Sequence, residues 1–311
     1  MKMKKIRVFA PATVANVCCG FDVLGFAVDA PSDEVILTLR SQPGLIIKKI
    51  EGDGGRLPLD PVRNTAGFAI QSYLTHLKSS QGVEIELIKK LPLGSGMGSS
   101  AASAVAALVA INYLLDEPLT RKELVPHAME AERMACGSAH ADNVAPGLLG
   151  GVVLIRAYEP LDIVRVPSPP ELYCTLIHPH LELKTQDSRR VLRETISLKN
   201  AVTQNGNIAA LMIGLIQHDY SLIGRSLCDV IAEPVRSVFI PGFEEIRRKV
   251  SDTGALGFGI SGSGPTVFAL SKERSTAEKA GEVTVQHFRG LKLRSDVYIS
   301  TINQEGARLD E

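Results

Sequence analysis

Between Leu91 and Ala102 the chain reads Leu-Pro-Leu-Gly-Ser-Gly-Met-Gly-Ser-Ser-Ala-Ala. Three glycines at alternate positions, Gly94, Gly96 and Gly98, let the backbone turn and approach a ligand closely. Ser99 and Ser100 follow, and the alanine-rich run from Ala101 to Leu115 predicts a helix. A glycine loop that opens into a helix presents unpaired N–H groups and the positive end of the helix dipole, which is the chemistry of a phosphate site. No Lys-Ser/Thr pair closes this loop, so it is not a Walker A motif. Its third glycine comes one position too early for a dinucleotide fingerprint.

Other polar residues sit where a core would not want them. Thr13, Asn16 and Asp22 lie among apolar neighbours in Ala10–Val28, and buried polar groups need partners, from the backbone or from a ligand. Asn16 could serve an Asx-turn and Asp22 a cap. Glu132 stands near the end of a predicted helix. His140, Asp142 and Asn143 then crowd into four residues before an apolar, glycine-rich turn, a density that suits a site more than a core. Thr185 is a good N-cap ahead of Arg189 and Arg190, and Arg236 falls in a loop before a later helix. His178-Pro-His180 reads as a surface turn rather than a metal pair.

The loop string resembles the Pro-x-x-x-Gly-Leu-Gly-Ser-Ser-Ala-Ala signature of the GHMP kinase superfamily, with Met97 where leucine is usual. The resemblance makes Pro92, Leu93, Gly94, Ser95, Gly96, Met97, Gly98, Ser99, Ser100, Ala101 and Ala102 the cradle of the ATP phosphates. The segment Pro-Ala-Thr-x-Ala-Asn-x-x-x-Gly-Phe-Asp-x-Leu-Gly at the N-terminus is similar to the first motif of homoserine kinases, with Cys18-Cys19 where Gly-Pro is frequent. Gly254–Leu270 resembles the third superfamily motif, which packs against the phosphate loop. Three motifs in the superfamily's order cover nearly the whole chain.

That resemblance implies roles. Asn64, otherwise an N-cap, falls in a region used beside the adenine. Ser100 and Glu132 would hold Mg²⁺, and His140 would touch substrate. Thr185 and Arg189 match a Thr-x-x-Ala-Arg segment, with Ser188 for the usual alanine, and Arg236 matches a second substrate-binding arginine. Asp142 lies where other superfamily members place a candidate base. The activity implied is ATP-dependent phosphorylation of the L-homoserine hydroxyl. The chemistry is coherent: Asp22 with Asn16 can meet an ammonium group, and Arg189 and Arg236 offer planar donors to a carboxylate. Another small-molecule kinase of the superfamily (mevalonate- or shikimate-type) or a non-catalytic sensor on the same fold are the alternatives.

The elements that must position these residues follow from patterning. Ile6–Ala10 predicts a strand ended by Pro11. Glu34–Leu39 predicts a strand with Leu45–Ile50 as its antiparallel partner, and Val83–Lys89 predicts the strand that delivers the chain to the phosphate loop. Helices are expected from Asn64 to about Lys78, from a Thr120/Glu123 capping box to about Ala135, and over 198–217, 220–229, 243–253 and 276–288. Strands are expected at 152–155, 173–178 and, as the last element, 297–302. A proline-bearing stretch, Leu161–Pro170, marks a boundary between residues 1–165 and 166–311. The fold class expected from the resemblance is α+β, with an N-terminal domain like the second domain of ribosomal protein S5 and a ferredoxin-like C-terminal domain.

Composition sets outer bounds. The 311 residues carry 34 Lys plus Arg and 34 Asp plus Glu, so no net field draws the chain to nucleic acid or an acidic membrane. Five cysteines without a Cys-x-x-Cys pair argue against a disulfide scaffold or zinc site. The basic N-terminus leads into a strand without an apolar signal core, and no run is long enough to span a bilayer. A cytoplasmic enzyme working on small molecules is expected, with a homodimer left open.

Overall fold

The computed structural model describes residues 5–183 and 185–310. Two sheets organise it. The first has seven strands: β1 (Lys5–Ala15), β2 (Leu24–Arg40), β3 (Leu45–Glu51), β4 (Gly82–Ile88), β5 (Val152–Tyr158), β6 (Leu161–Val166) and, from the far end of the chain, β11 (Arg308–Leu309). The order β11-β1-β2-β4-β3 is extended by β5 on the early part of β2 and β6 on β5. The second sheet comprises β7 (Tyr173–Pro179), β8 (Gly257–Ile260), β9 (Val267–Ser271) and β10 (Ser295–Thr301), all antiparallel, in the order β10-β7-β9-β8. Numbered within that sheet the order is 4-1-3-2, the ferredoxin-like arrangement.

Among the described residues there are ten α-helices, besides short 3-10 turns at Pro61–Arg63 and Ser237–Phe239: α1 (Thr65–His76), α2 (Ser99–Leu114), α3 (Arg121–Cys136), α4 (Ala141–Leu149), α5 (Thr185–Arg190), α6 (Leu198–Gln217), α7 (Tyr220–Ser226), α8 (Glu233–Arg236), α9 (Phe243–Asp252) and α10 (Arg274–Gly290). The alanine-rich α2 is buried almost all round, with Ala101, Ala102, Val105, Leu108 and Ile111 in the main core. Small side chains let this helix press against β1, β2, α1 and α3 at once, which a bulkier helix could not do. The α3 capping box forms as expected: Thr120 and Glu123 exchange side-chain and backbone bonds. The helix accommodates Pro126 in its interior.

Several expectations change. Pro11 does not end β1; the strand runs on to Ala15 through a register shift between Pro11 and Thr13, the kind of bulge that tolerates a residue without an N–H. Leu45–Ile50 does not pair with the preceding strand. It lies parallel to β4, whose other edge holds β2. The glycine-rich stretch after Asn143 is helix α4 and contains Pro146. The early part of 161–170 is strand β6. The helix begun at Tyr220 stops at Ser226, short of Asp229. His178 is buried in β7 with Nδ1 3.1 Å from Thr266 Oγ1, and only His180 is exposed. The chain does not finish at β10 but returns to the first sheet, where β11 pairs antiparallel with β1.

Candidate active site

The first loop after β1 is unusual before any ligand is considered. Asn16, Val17 and Cys18 have φ of 72°, 44° and 57°, and Gly20 N donates to Asn16 O at 2.8 Å. This is a turn of left-handed helix in residues other than glycine, and one of them is β-branched. Such geometry survives only where surroundings hold it. The Asn16 side chain supplies part of the hold: its Oδ1 accepts from Asp22 N at 3.0 Å and its Nδ2 donates to Gly262 O at 2.8 Å. Cys18 and Cys19 are buried, and burial raises both thiols above their ordinary pKa, Cys19 to about 12. They act as small core residues.

The phosphate loop is locked from two sides. Thr13 N donates to Met97 O at 3.1 Å, and Thr266 N donates to Ser95 O at 3.1 Å. Ser261 Oγ donates to Gly96 O at 2.7 Å. The Gly254–Leu270 stretch therefore does pack on the loop. A Cβ at Gly96, where φ is +79°, would come within 2.5 Å of Ser261 O. Met97 is fully buried, so its side chain anchors the loop in the core. Gly98, also left-handed, precedes α2 with no side-chain cap, which leaves the first-turn N–H groups to an anion.

Beneath the loop lies a buried ion pair absent from the sequence reading. Lys89 Nζ pairs with Asp33, and it also donates to Ser99 O at 2.7 Å and Ser103 Oγ at 2.9 Å. Asp33 in turn accepts from Lys90 N at 2.7 Å and Leu91 N at 2.8 Å. One carboxylate thus fixes the loop's entry, while its lysine fixes the start of α2. Neither residue belongs to a local pattern, and they stand 56 positions apart.

A cleft of about 470 Å³ opens above. Its walls include Asn16, Asp22, Asn64, Lys89, Leu93 to Gly96, Gly98 to Ser100, Glu132, Cys136, His140, Asp142, Asn143, Arg189, Arg236 and Gly262. Residues far apart in sequence thereby meet in one cavity. Ala101 and Ala102 are buried in the α2 core beside it. Asn64 caps α1 through Ala66 N at 3.1 Å and also lines the cleft, so both of its readings coexist. Thr185 is the first residue of α5, and its side chain lies outside the described residues.

Charge is distributed unevenly inside. At one end Arg189 Nη2 donates to Asp22 Oδ1 at 2.7 Å and to His140 Nδ1 at 3.4 Å. Arg236, 3% exposed, donates to Ser188 O at 3.3 Å and Gly262 O at 3.1 Å. Among the described residues no carboxylate lies within ion-pair distance of it. Burial, then the neighbouring Arg189, lowers its pKa to about 10, so it stays charged at neutral pH. Both guanidiniums lie over the ring of Phe21, at 5.1 Å for Arg236 and 5.7 Å for Arg189. Burial holds His140 below the usual imidazole range, so it is neutral at pH 7. Tyr158 donates to Asp22 O at 2.7 Å and fastens that end to β5.

Near the phosphate loop, Glu132 is 7% exposed, Cys136 Sγ donates to its Oε2 at 3.6 Å, and the neighbouring Ser100 hydroxyl favours its charged form. Burial raises its pKa, and its Oε1 has no partner. Asp142 is likewise buried; desolvation, then the Asp22 charge, pushes its pKa to about 7, and its Oδ1 is unpartnered. Two carboxylates with free oxygens in one cleft are an arrangement ready for a cation and for a proton. Among the described residues no three acidic, cysteine or histidine side chains form a complete metal cage. Lys89 and Tyr158 give no signal in the sequence, because a lysine and a tyrosine at strand ends are ordinary there; Phe21 stands inside the first motif, but its place beneath two guanidiniums appears only in the fold.

The GHMP kinase N-terminal family model matches residues 64–151, and the GHMP kinase C-terminal model matches 194–288. The chain belongs to the GHMP kinase family. Among its kin, the homoserine kinase of Chlorobium phaeobacteroides (strain DSM 266) is 53% identical over 99% of this chain and all of its own length. That of Xylella fastidiosa (strain M12) is 41% identical over 97% of this chain and 93% of its own. The crystal structure of homoserine kinase from Cytophaga hutchinsonii superposes with a TM-score of 0.97 at 55% identity, covering 100% of this chain and 98% of that one. The GHMP kinase fold extends to Leishmania major mevalonate kinase, with a TM-score of 0.72 at 16% identity over 96% and 97% of the two chains.

Proposed function

We propose that this GHMP kinase phosphorylates the side-chain hydroxyl of L-homoserine with ATP, giving O-phospho-L-homoserine for threonine synthesis. The observation that carries the reading is the placement of Asp22, Arg189 and Arg236 within one cleft, next to the phosphate loop. An ammonium group suits Asp22, and a carboxylate suits the two guanidiniums. Mevalonate, an acid without an amine, would draw Arg189 from Asp22 and give Asp22 no cation in return.

In the reaction a bond forms between the acceptor oxygen and the γ-phosphorus, and the bond from that phosphorus to the β,γ-bridging oxygen breaks. Positioning and charge neutralisation supply most of the catalysis. The Gly94–Ser100 backbone holds the phosphates. Glu132, through its free oxygen, and Ser100 fit Mg²⁺, which would neutralise phosphate charge when bound. Asp142, poised near neutral pKa, takes the acceptor's proton. Asn16 keeps Asp22 in place, while His140 shapes the acceptor side and Asn64 the nucleotide side.

On this reading the chain divides at residues 165 and 166, at the last residue of β6, ahead of β7 in the second sheet. It works in the cytoplasm, without nucleic acid or membrane, and a homodimer is compatible with it. Zero net charge supports the exclusion of a nucleic-acid partner, and no helix among the described residues is long and apolar enough to cross a membrane. An ADP-release assay over homoserine, mevalonate, galactose and shikimate tests it. Homoserine should give the largest kcat/KM; a larger value for any other acceptor would overturn the assignment.

A further inference from the structure

Helix α6 is mostly exposed over its first half, and its first buried residue is a glutamine. Gln204 is 3% exposed. A buried amide is expensive unless satisfied, and this one is. Its Nε2 donates to Cys19 O at 2.7 Å and to Asp229 Oδ1 at 3.0 Å, and its Oε1 accepts from Val230 N at 3.0 Å. Asp229, itself buried, accepts from the N–H groups of Ile231 at 2.8 Å, Ala232 at 3.2 Å and Glu233 at 2.8 Å. It therefore anchors the start of α8, the short helix that ends in Arg236.

These bonds close a ring. Cys19 lies between Asn16 and Asp22 in the left-handed loop. Asn16 and Arg236 donate to one and the same carbonyl, that of Gly262. The segment that carries Asp22 and the helix that carries Arg236 are thus tied twice: directly at Gly262, and around the back through Cys19, Gln204 and Asp229. We propose that Gln204 is a positioning residue for the acceptor, fixing the separation of Asp22 and Arg236 without touching substrate. This rests on the assignment of Asp22 and Arg236 to the amino acid's two charges.

Homoserine, 3-amino-1-propanol (homoserine without its carboxylate) and ATP are titrated calorimetrically into the wild type, Gln204→Met and Gln204→Glu. Methionine keeps length and volume but removes both donors. Glutamate keeps an acceptor for Val230 N but sets oxygen against Asp229 and Cys19 O. Each variant should bind homoserine about tenfold more weakly, the scale on which a small misplacement acts. ATP affinity should stay within about twofold, and the preference for homoserine over the aminoalcohol should shrink. An unchanged preference in a folded variant, or equal weakening of homoserine and ATP, overturns the positioning role. If the wild type itself shows no preference for homoserine over the aminoalcohol, the acceptor assignment fails and this proposal falls with it. Should Gln204→Met not fold, Gln204→Glu gives the same readout.

Discussion

Asp22 Oδ1 and Arg189 Nη2 stand 2.7 Å apart across one end of the cleft, while Arg189 Nε is buried without a partner. On the proposed reading a zwitterion would substitute for the pair, its ammonium replacing the guanidinium on Asp22 and its carboxylate replacing Asp22 on Arg189. The exchange conserves the number of ion pairs. A ligand with one charge breaks the protein's own pair and leaves a partner unmatched in a half-buried site, which is a route to discrimination by exclusion.

Asp22→Asn removes the anion and keeps the shape. Homoserine affinity should fall about tenfold or more, while ATP affinity holds, as read by separate calorimetric titrations. Equal affinity for homoserine in the variant and the wild type would show that the ammonium is met elsewhere.

Arg236 already has backbone carbonyls as partners, so its charge is left for a ligand. Replacement by leucine removes a charge-assisted bond worth roughly 1.5–3 kcal/mol, again about tenfold or more in Kd for homoserine. ATP affinity should hardly move. If Arg236→Leu weakens both ligands equally, or neither, the arginine is structural.

Asp142 gives a prediction whose sign can be worked out. Its folded pKa is raised from 3.8 to about 7, so between those values the folded state holds a proton that the unfolded state has lost. Stability from this group is complete below the unfolded pKa and declines as pH rises towards 7. Asp142→Asn should therefore raise the melting temperature at pH 8 relative to wild type while turnover collapses. In the wild type, kcat should climb as pH passes through about 7. A variant with full turnover would show that the proton goes to the phosphate instead.

Glu132→Gln tests the cation. Turnover should collapse at limiting Mg²⁺ and recover only in part when Mg²⁺ is raised, because on the proposed reading Ser100 and the nucleotide would remain as ligands. Full activity of Glu132→Gln at limiting Mg²⁺ removes the metal role from this residue.

Gly96→Val probes the seam. The added side chain meets the Ser261–Gly264 backbone, and the loop it displaces carries the Gly262 carbonyl shared by Asn16 and Arg236. Both ATP and homoserine should bind more weakly and the melting temperature should drop. Weakening of ATP alone would mean that the two loops move independently.

Legibility followed locality. Gly94–Ser100, the Thr120/Glu123 box and helices α2, α6 and α10 could be read because spacing and composition over a dozen residues decide them. Asn16, Asp22, Glu132, His140, Asp142, Arg189 and Arg236 could be named by motif, and the fold draws them into one cleft. The parallel pairing of β3 with β4 was not legible, since the residues between them fix only connection length and leave the choice of edge to packing. Nor was the return of β11 to β1, or the Lys89–Asp33 pair. Gln204 looks in sequence like any polar residue on a helix; only the fold shows it turned inward. Pro11 misled because a proline punctuates most strands, except where a bulge absorbs it.

The left-handed turn at Asn16–Cys18 carries a further implication for how the protein would respond to selection for heat resistance. Left-handed geometry costs about 1–2 kcal/mol per residue that is not glycine. Val17 is the least suited of the three, being β-branched. Val17 is nevertheless 3% exposed and packed in the main core, so Val17→Gly would relieve the backbone but empty buried apolar space, a loss larger than the relief. A screen that rewards survival at high temperature should thus leave this turn intact and find its gains elsewhere, and hardier variants would keep Asp22 presented as it is now.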